Sequence, residues 1–91
     1  MTYSIGTLPL FDRKMKKIAK KNRQLYESAA NKLEEIVQNP HHYKPLGNVM
    51  AGKRRVHLVE PFVLVFSINE RKKMVVLEDI DHHKVRRETV G

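Results

Sequence analysis

The chain has 91 residues with 18 Lys and Arg against 10 Asp and Glu, five His and no Cys, for a formal charge of +8. A chain of this length buries only roughly 60–65% of its unfolded surface, which predicts one domain over residues 1–91 with one modest core and no large nested pocket. Without cysteine, disulfides, thiolate metal sites and thiol nucleophiles are excluded. The longest apolar stretch, Phe62–Phe66, is far too short to cross a bilayer, and Met1–Leu10 lacks the basic start and apolar run of a signal peptide, so a soluble, mature cytoplasmic chain is expected.

Residues 2–6 alternate weakly up to Gly6 and suit a short first strand. Thr7 is the expected cap of a first helix, with Pro9 in a first turn that does not need its N–H. Leu8, Phe11, Met15 and Ile18 recur at helical spacing, while Lys14, Lys16, Lys17, Lys20 and Lys21 fill much of the remaining surface. Asn22 is placed to cap a second helix whose buried stripe is Leu25, Ala29, Leu33 and Ile36 or Val37, and Pro40 stops it after Asn39.

Between Pro40 and Gly52 periodicity disappears and Pro45, Gly47 and Gly52 punctuate a loop. Three strands are then expected: Lys53–Glu60, Phe62–Asn69 after a corner at Glu60-Pro61, and Lys73–Asp81 after a turn at Asn69–Lys72. Short connections make neighbours antiparallel, and the apolar run Phe62–Phe66 marks the centre of the sheet. The order β-α-α-β-β-β predicts an α+β fold with a helical hairpin on one face of a small, antiparallel-dominated sheet.

A helical hairpin can cover only one face, so the other collects alternate residues from strands that carry Lys53, Arg54, Arg55, His57 and the tandem His82-His83. Neighbours on a strand point apart. Arg54 and Arg55 therefore do not both line one surface, nor do His82 and His83, and the tandem is poorly arranged to chelate, so no metal is expected. Guanidinium and ammonium groups converging on an open face suit a phosphodiester and the charge that develops on it, and an imidazole there suits general acid–base work. The run Arg13–Arg23 and the terminal Lys84, Arg86 and Arg87 add phosphate-binding candidates, Lys14, Lys17 and Lys21 among them. A basic helix face also serves simply to solvate a helix that buries one stripe. His41-His42-Tyr43 offers an aromatic that could stack a base.

The segment Gly52–Phe66, with Arg55, His57, Glu60-Pro61 and an apolar strand ending in Phe66, resembles the RelE/ParE toxin superfamily, as do Asn39-Pro40, Lys44-Pro45-Leu46 and Leu77–His83. The resemblance spans most of the chain and is nearer to archaeal RelE-like and YafQ-like members than to topoisomerase poisons. It implies a toxin that cleaves mRNA on the ribosome by attack of the 2′-hydroxyl, giving a 2′,3′-cyclic phosphate and a 5′-hydroxyl. An acidic cognate antitoxin would block it and mediate oligomer formation, and no cofactor is implied. Arg54 or Arg55 would correspond to the arginine holding the scissile phosphate, His57 to the strand histidine, and His82 or His83 to the histidine used in proton transfer. Many relatives place Tyr or Phe after that histidine, whereas here Arg86 and Arg87 stand there and no aromatic follows Phe66. A basic RNA- or ribosome-binding module without catalysis and a ParE-type topoisomerase inhibitor are the alternatives.

Overall fold

The computed structural model describes residues 2–43 and 52–82. In chain order these form β1 (Ser4–Thr7), α1 (Pro9–Lys21), α2 (Arg23–Gln38), a 3-10 turn (Pro40–His42), β2 (Lys53–His57), β3 (Phe62–Asn69) and β4 (Met74–His82). The expected order of elements holds, with the sheet ordered β1-β4-β3-β2. β2 and β3, and β3 and β4, pair antiparallel, as their short connections require. β1 runs parallel to β4, because the chain leaves β1 into the helical hairpin and returns to its side only through the last strand.

Local chemistry sets the helix boundaries. Asn22 ends α1 by donating its N–H to the Ile18 carbonyl and starts α2 by accepting the Leu25 N–H on Oδ1 at 3.1 Å. One residue thus makes the sharp turn of the hairpin. Thr7 is not the cap of α1. It is the last residue of β1, the N-cap is Leu8 with no side-chain cap bond, and the Thr7 hydroxyl donates instead to Asp12 in the first turn at 2.9 Å. Asp12 near the amino end of α1, with Lys20 and Lys21 near its carboxyl end, matches the helix dipole.

The core lies between the helices and one face of the sheet. Phe11, Leu25, Ala29 and Ile36 from the helices meet Val56, Leu58, Leu64, Phe66, Val75, Leu77 and Ile80 from the sheet side. Met15, Ile18 and Leu33 pack against this cluster, whereas Leu8 remains 41% exposed, because it precedes α1 rather than lying on its inward stripe. β2 ends at His57 rather than continuing to Glu60. Leu58 still donates to the Phe62 carbonyl, but Phe62 donates back to Val59, closing a tight corner that holds the cis Glu60–Pro61 peptide.

β4 carries the irregularity that matters for the site. Val65 pairs with Asp79 and Phe66 with Leu77, so Glu78 is an extra residue, a β-bulge. The bulge changes the phase of the strand: inward-facing residues step from Val75 and Leu77 to Ile80. α1 is anchored at the same point, where the Lys14 ammonium reaches Asp79 Oδ1 at 2.7 Å and the Ile80 carbonyl at 3.2 Å.

Candidate functional site

Strand alternation and register divide the cationic residues between two faces. Val56 pairs with Leu64, and Leu64 with Ile80, all in the core, so Lys53, Arg55 and His57 stand on the opposite, open face of β2. They are joined there by Val63, Val65 and Ser67 of β3 and by Val76, the bulged Glu78 and the exposed Asp81 of β4, which pairs with Val63. Arg55 and His57 are both exposed and lie two residues apart on one strand, about 7 Å along it. A single phosphodiester with its neighbouring hydroxyl fits within that span.

The open face is not uniformly positive. Glu78 accepts hydrogen bonds from the Ser67 hydroxyl, at 2.8 Å, and from the Lys53 ammonium, in a half-buried ion pair. This matches the charge of Lys53 where it stands and leaves Arg55 as the exposed cation beside the imidazole. Sequence reasoning missed Glu78. The signal that could have found it is the broken alternation Val75-Val76-Leu77-Glu78-Asp79-Ile80, where two acidic residues separate successive apolar positions and mark a bulge.

Several sequence candidates are placed elsewhere. Arg54 lies on the covered side of β2, and its guanidinium donates to the Tyr43 carbonyl at 2.6 Å, fastening the segment after α2 to the sheet. His82 pairs with Phe62, on the Leu64 side of β3, and their rings meet edge to face with centroids 4.9 Å apart. It is therefore not brought together with Arg55 and His57. Lys14 is engaged by Asp79, while Lys17 and Lys21 are exposed on α1, away from the Arg55 row. His83, Lys84, Arg86 and Arg87 fall outside the described residues.

The corner that holds His41 is organised by a carboxylate, Glu70, whereas the Tyr43 phenol donates to Glu35 at 3.3 Å. Glu70 Oε2 accepts from Tyr3 at 2.9 Å and pairs with His41, while Oε1 takes the Lys73 ammonium at 3.0 Å. These bonds, from Lys73 first, then His41 and Tyr3, hold the Glu70 carboxyl down at about 2. Tyr43 packs edge-on against Phe66 with centroids 5.9 Å apart, and burial pushes its phenol up. It is part of the core margin rather than a platform for a base.

Residues 7–86 match the family of ParE toxins of type II toxin–antitoxin systems. A curated relative from Methanocaldococcus jannaschii, named "Putative toxin RelE4", is 41% identical over 81 residues, covering 89% of this chain and 86% of the relative. Among solved structures, the RelBE2 toxin–antitoxin complex of Mycobacterium tuberculosis superposes with a TM-score of 0.75 at 18% identity, covering 91% of this chain and 100% of the matched one. The YoeB/ParE toxin of Agrobacterium tumefaciens gives 0.79 at 11% identity, with 88% and 98% covered. This chain belongs to the RelE/ParE superfamily of type II toxins, and its two helices on an open four-stranded sheet are the fold of RelE-like toxins.

Proposed function

We propose that the protein is a ribosome-dependent endoribonuclease acting on mRNA, with the open sheet face as its cutting surface. The observation that carries this reading is the presence of Arg55 and His57 on one exposed strand face, with Lys53 beside them. The ribose 2′-oxygen attacks the adjacent phosphorus and loses its proton to a base. The P–O5′ bond breaks, and the departing 5′-oxygen takes a proton from an acid, leaving a 2′,3′-cyclic phosphate and a 5′-hydroxyl. The nucleophile belongs to the substrate, so the protein needs only an acid, a base and a group to hold the added phosphorane charge. Arg55 is assigned that charge through paired N–H donors, and His57 one of the two proton transfers. Of the tandem histidines, His82 stands with the covered side, so the second transfer is assigned to His83, which lies outside the described residues. Lys53, held by Glu78, gives a secondary phosphate contact, and Lys17, Lys21, Lys84, Arg86 and Arg87 supply the attraction for ribosomal and messenger phosphates.

In this reading the toxin acts in the cytoplasm, where ribosomes are, and no helix among the described residues is long and apolar enough to cross a membrane. Its inhibitor is an acidic antitoxin, supported by the +8 charge and by relatives solved as toxin–antitoxin complexes. An antitoxin that folds on binding would give up about 2–5 kcal/mol of its gross interaction energy to ordering. The test is inducible expression with and without the neighbouring gene, following growth and mRNA 5′ ends. New in-frame cuts, silenced by the antitoxin, are the expected result. The ParE name of the matching family favours a second reading, inhibition of a topoisomerase, and DNA damage with intact mRNA would establish it instead.

A further inference from the structure

The β3–β4 turn carries a second concentration of positive charge, one with no part in the chemistry above. Asn69 Oδ1 accepts the Lys72 N–H at 3.1 Å, and Lys73 leaves the turn in the left-handed region with φ 53°. Lys73 is committed to Glu70, but Arg71 and Lys72 are exposed, and neither is ion-paired with a described residue. A shallow groove beside them has Ser67, Asn69, Arg71, Lys72 and Val76 among its lining residues, together with Ile68 and Glu70. Its floor belongs to the open face, since Ser67 pairs with Lys53 on one side and with Val76 on the other.

The groove's cations and Arg55 are thus two positive points on one surface. Between them lies a neutralised stretch, where Glu78 matches Lys53 and Val65 and Val76 offer apolar floor. Arg55 is level with Val65, and the turn begins after Asn69, four residues on, so the points are about 13 Å apart along the strands. A ligand that carries one charge satisfies one point. A chain that repeats its phosphate at each unit, with sugars and bases between, satisfies both and crosses the floor between them, where Lys53, already paired with Glu78, adds only a secondary contact.

We infer that Arg71 and Lys72 form a second phosphate-binding point for single-stranded RNA, holding the strand that runs across the sheet from the linkage at Arg55 and His57. This rests on the endoribonuclease reading and extends it from a cutting point to a track. Arg71 presents paired donors to a phosphate and Lys72 a mobile point charge, so the site is sequence-tolerant and salt-sensitive.

The test compares the full chain with an Arg71→Ala, Lys72→Ala variant in binding to a single-stranded RNA of roughly twelve nucleotides and to one too short to reach the turn, over a series of salt concentrations. The expected result is a loss of about tenfold on the longer RNA, with the salt slope reduced by about 1.4 for two lost phosphate contacts, and little change on the short one. Unchanged affinity and slope on the longer RNA overturn the proposal, as does an equal loss on both lengths. If the double variant does not melt within about 2 °C of the parent, Lys72→Gln alone is measured, and a slope reduced by about 0.7 on the longer RNA is then required. Cleavage is scored separately, on ribosomes programmed with a defined mRNA. Length-dependent RNA binding without any cut on those ribosomes by the parent chain removes the nuclease reading and keeps the track, whereas cutting without length dependence removes the track alone. A double variant that loses antitoxin affinity but binds RNA as before assigns the turn to a protein partner and overturns the RNA assignment.

Discussion

The covered and open faces of β2 and β3 are made from the same thirteen strand residues, read at alternate positions, and they do different work. On the covered side Val56, Leu64 and Phe66 are buried against Leu25, Ala29 and Ile36, and the one cation, Arg54, is spent on a backbone carbonyl. On the open side Lys53, Arg55 and His57 stand over Val63, Val65 and Ser67. Adjacent residues of one chemical type, Arg54 and Arg55, thereby become a fastener and an exposed cation, the proposed phosphate ligand. Parity decides which, and a one-residue slip would exchange them.

The largest effect on this contrast comes from the covered side. Phe66→Ala deletes a fully buried ring from the centre of the sheet and should destabilise the domain by about 3–5 kcal/mol, read as the shift of a urea or thermal transition. Arg55→Ala and His57→Ala should leave that transition within about 0.5 kcal/mol of wild type while lowering cleavage by about 10²–10⁴-fold. His82→Ala sharpens the comparison, since it belongs to the other side. It should lose its edge-on contact with Phe62, worth no more than about 1 kcal/mol, with cleavage little changed.

Smaller again is the hairpin hinge. Asn22→Ala removes the cap of α2 and should cost about 1 kcal/mol, with activity intact after allowance for the unfolded fraction. The smallest effect is a pH dependence at the Glu70 corner. Its carboxyl titrates near 2 in the fold against 4.5 ordinarily, so the unfolded chain binds the proton first on acidification. The contribution is full above the unfolded value and disappears as pH falls from about 4.5 to 2. Wild type should therefore lose stability more steeply than Glu70→Gln across that window, and added salt should narrow the difference, because the group is at the surface.

Much of this arrangement was legible in the sequence. The element order followed from periodicity and punctuation, Asn22 from its capping chemistry, and the opposed directions of Arg54 and Arg55 from alternation alone. The parallel pairing of β1 was not, because four residues of weak pattern do not reveal which strand they join. Glu78 and the commitment of Lys14 to Asp79 were hidden behind a bulge, whose phase shift alters which face each later residue of β4 takes. The same shift puts Ile80 and His82 on one side and so takes His82 away from Arg55. The Arg71–Lys72 groove escaped because turn cations read as ordinary solvation until their neighbours in space are known.

The most direct test uses purified protein on ribosomes programmed with a defined mRNA, comparing wild type with Arg55→Ala and His57→Ala and resolving the termini of any product. A cut ending in a 2′,3′-cyclic phosphate, made by wild type and lost in both folded variants, is the predicted result. Equal cutting by all three proteins would mean that the open sheet face does not perform the reaction.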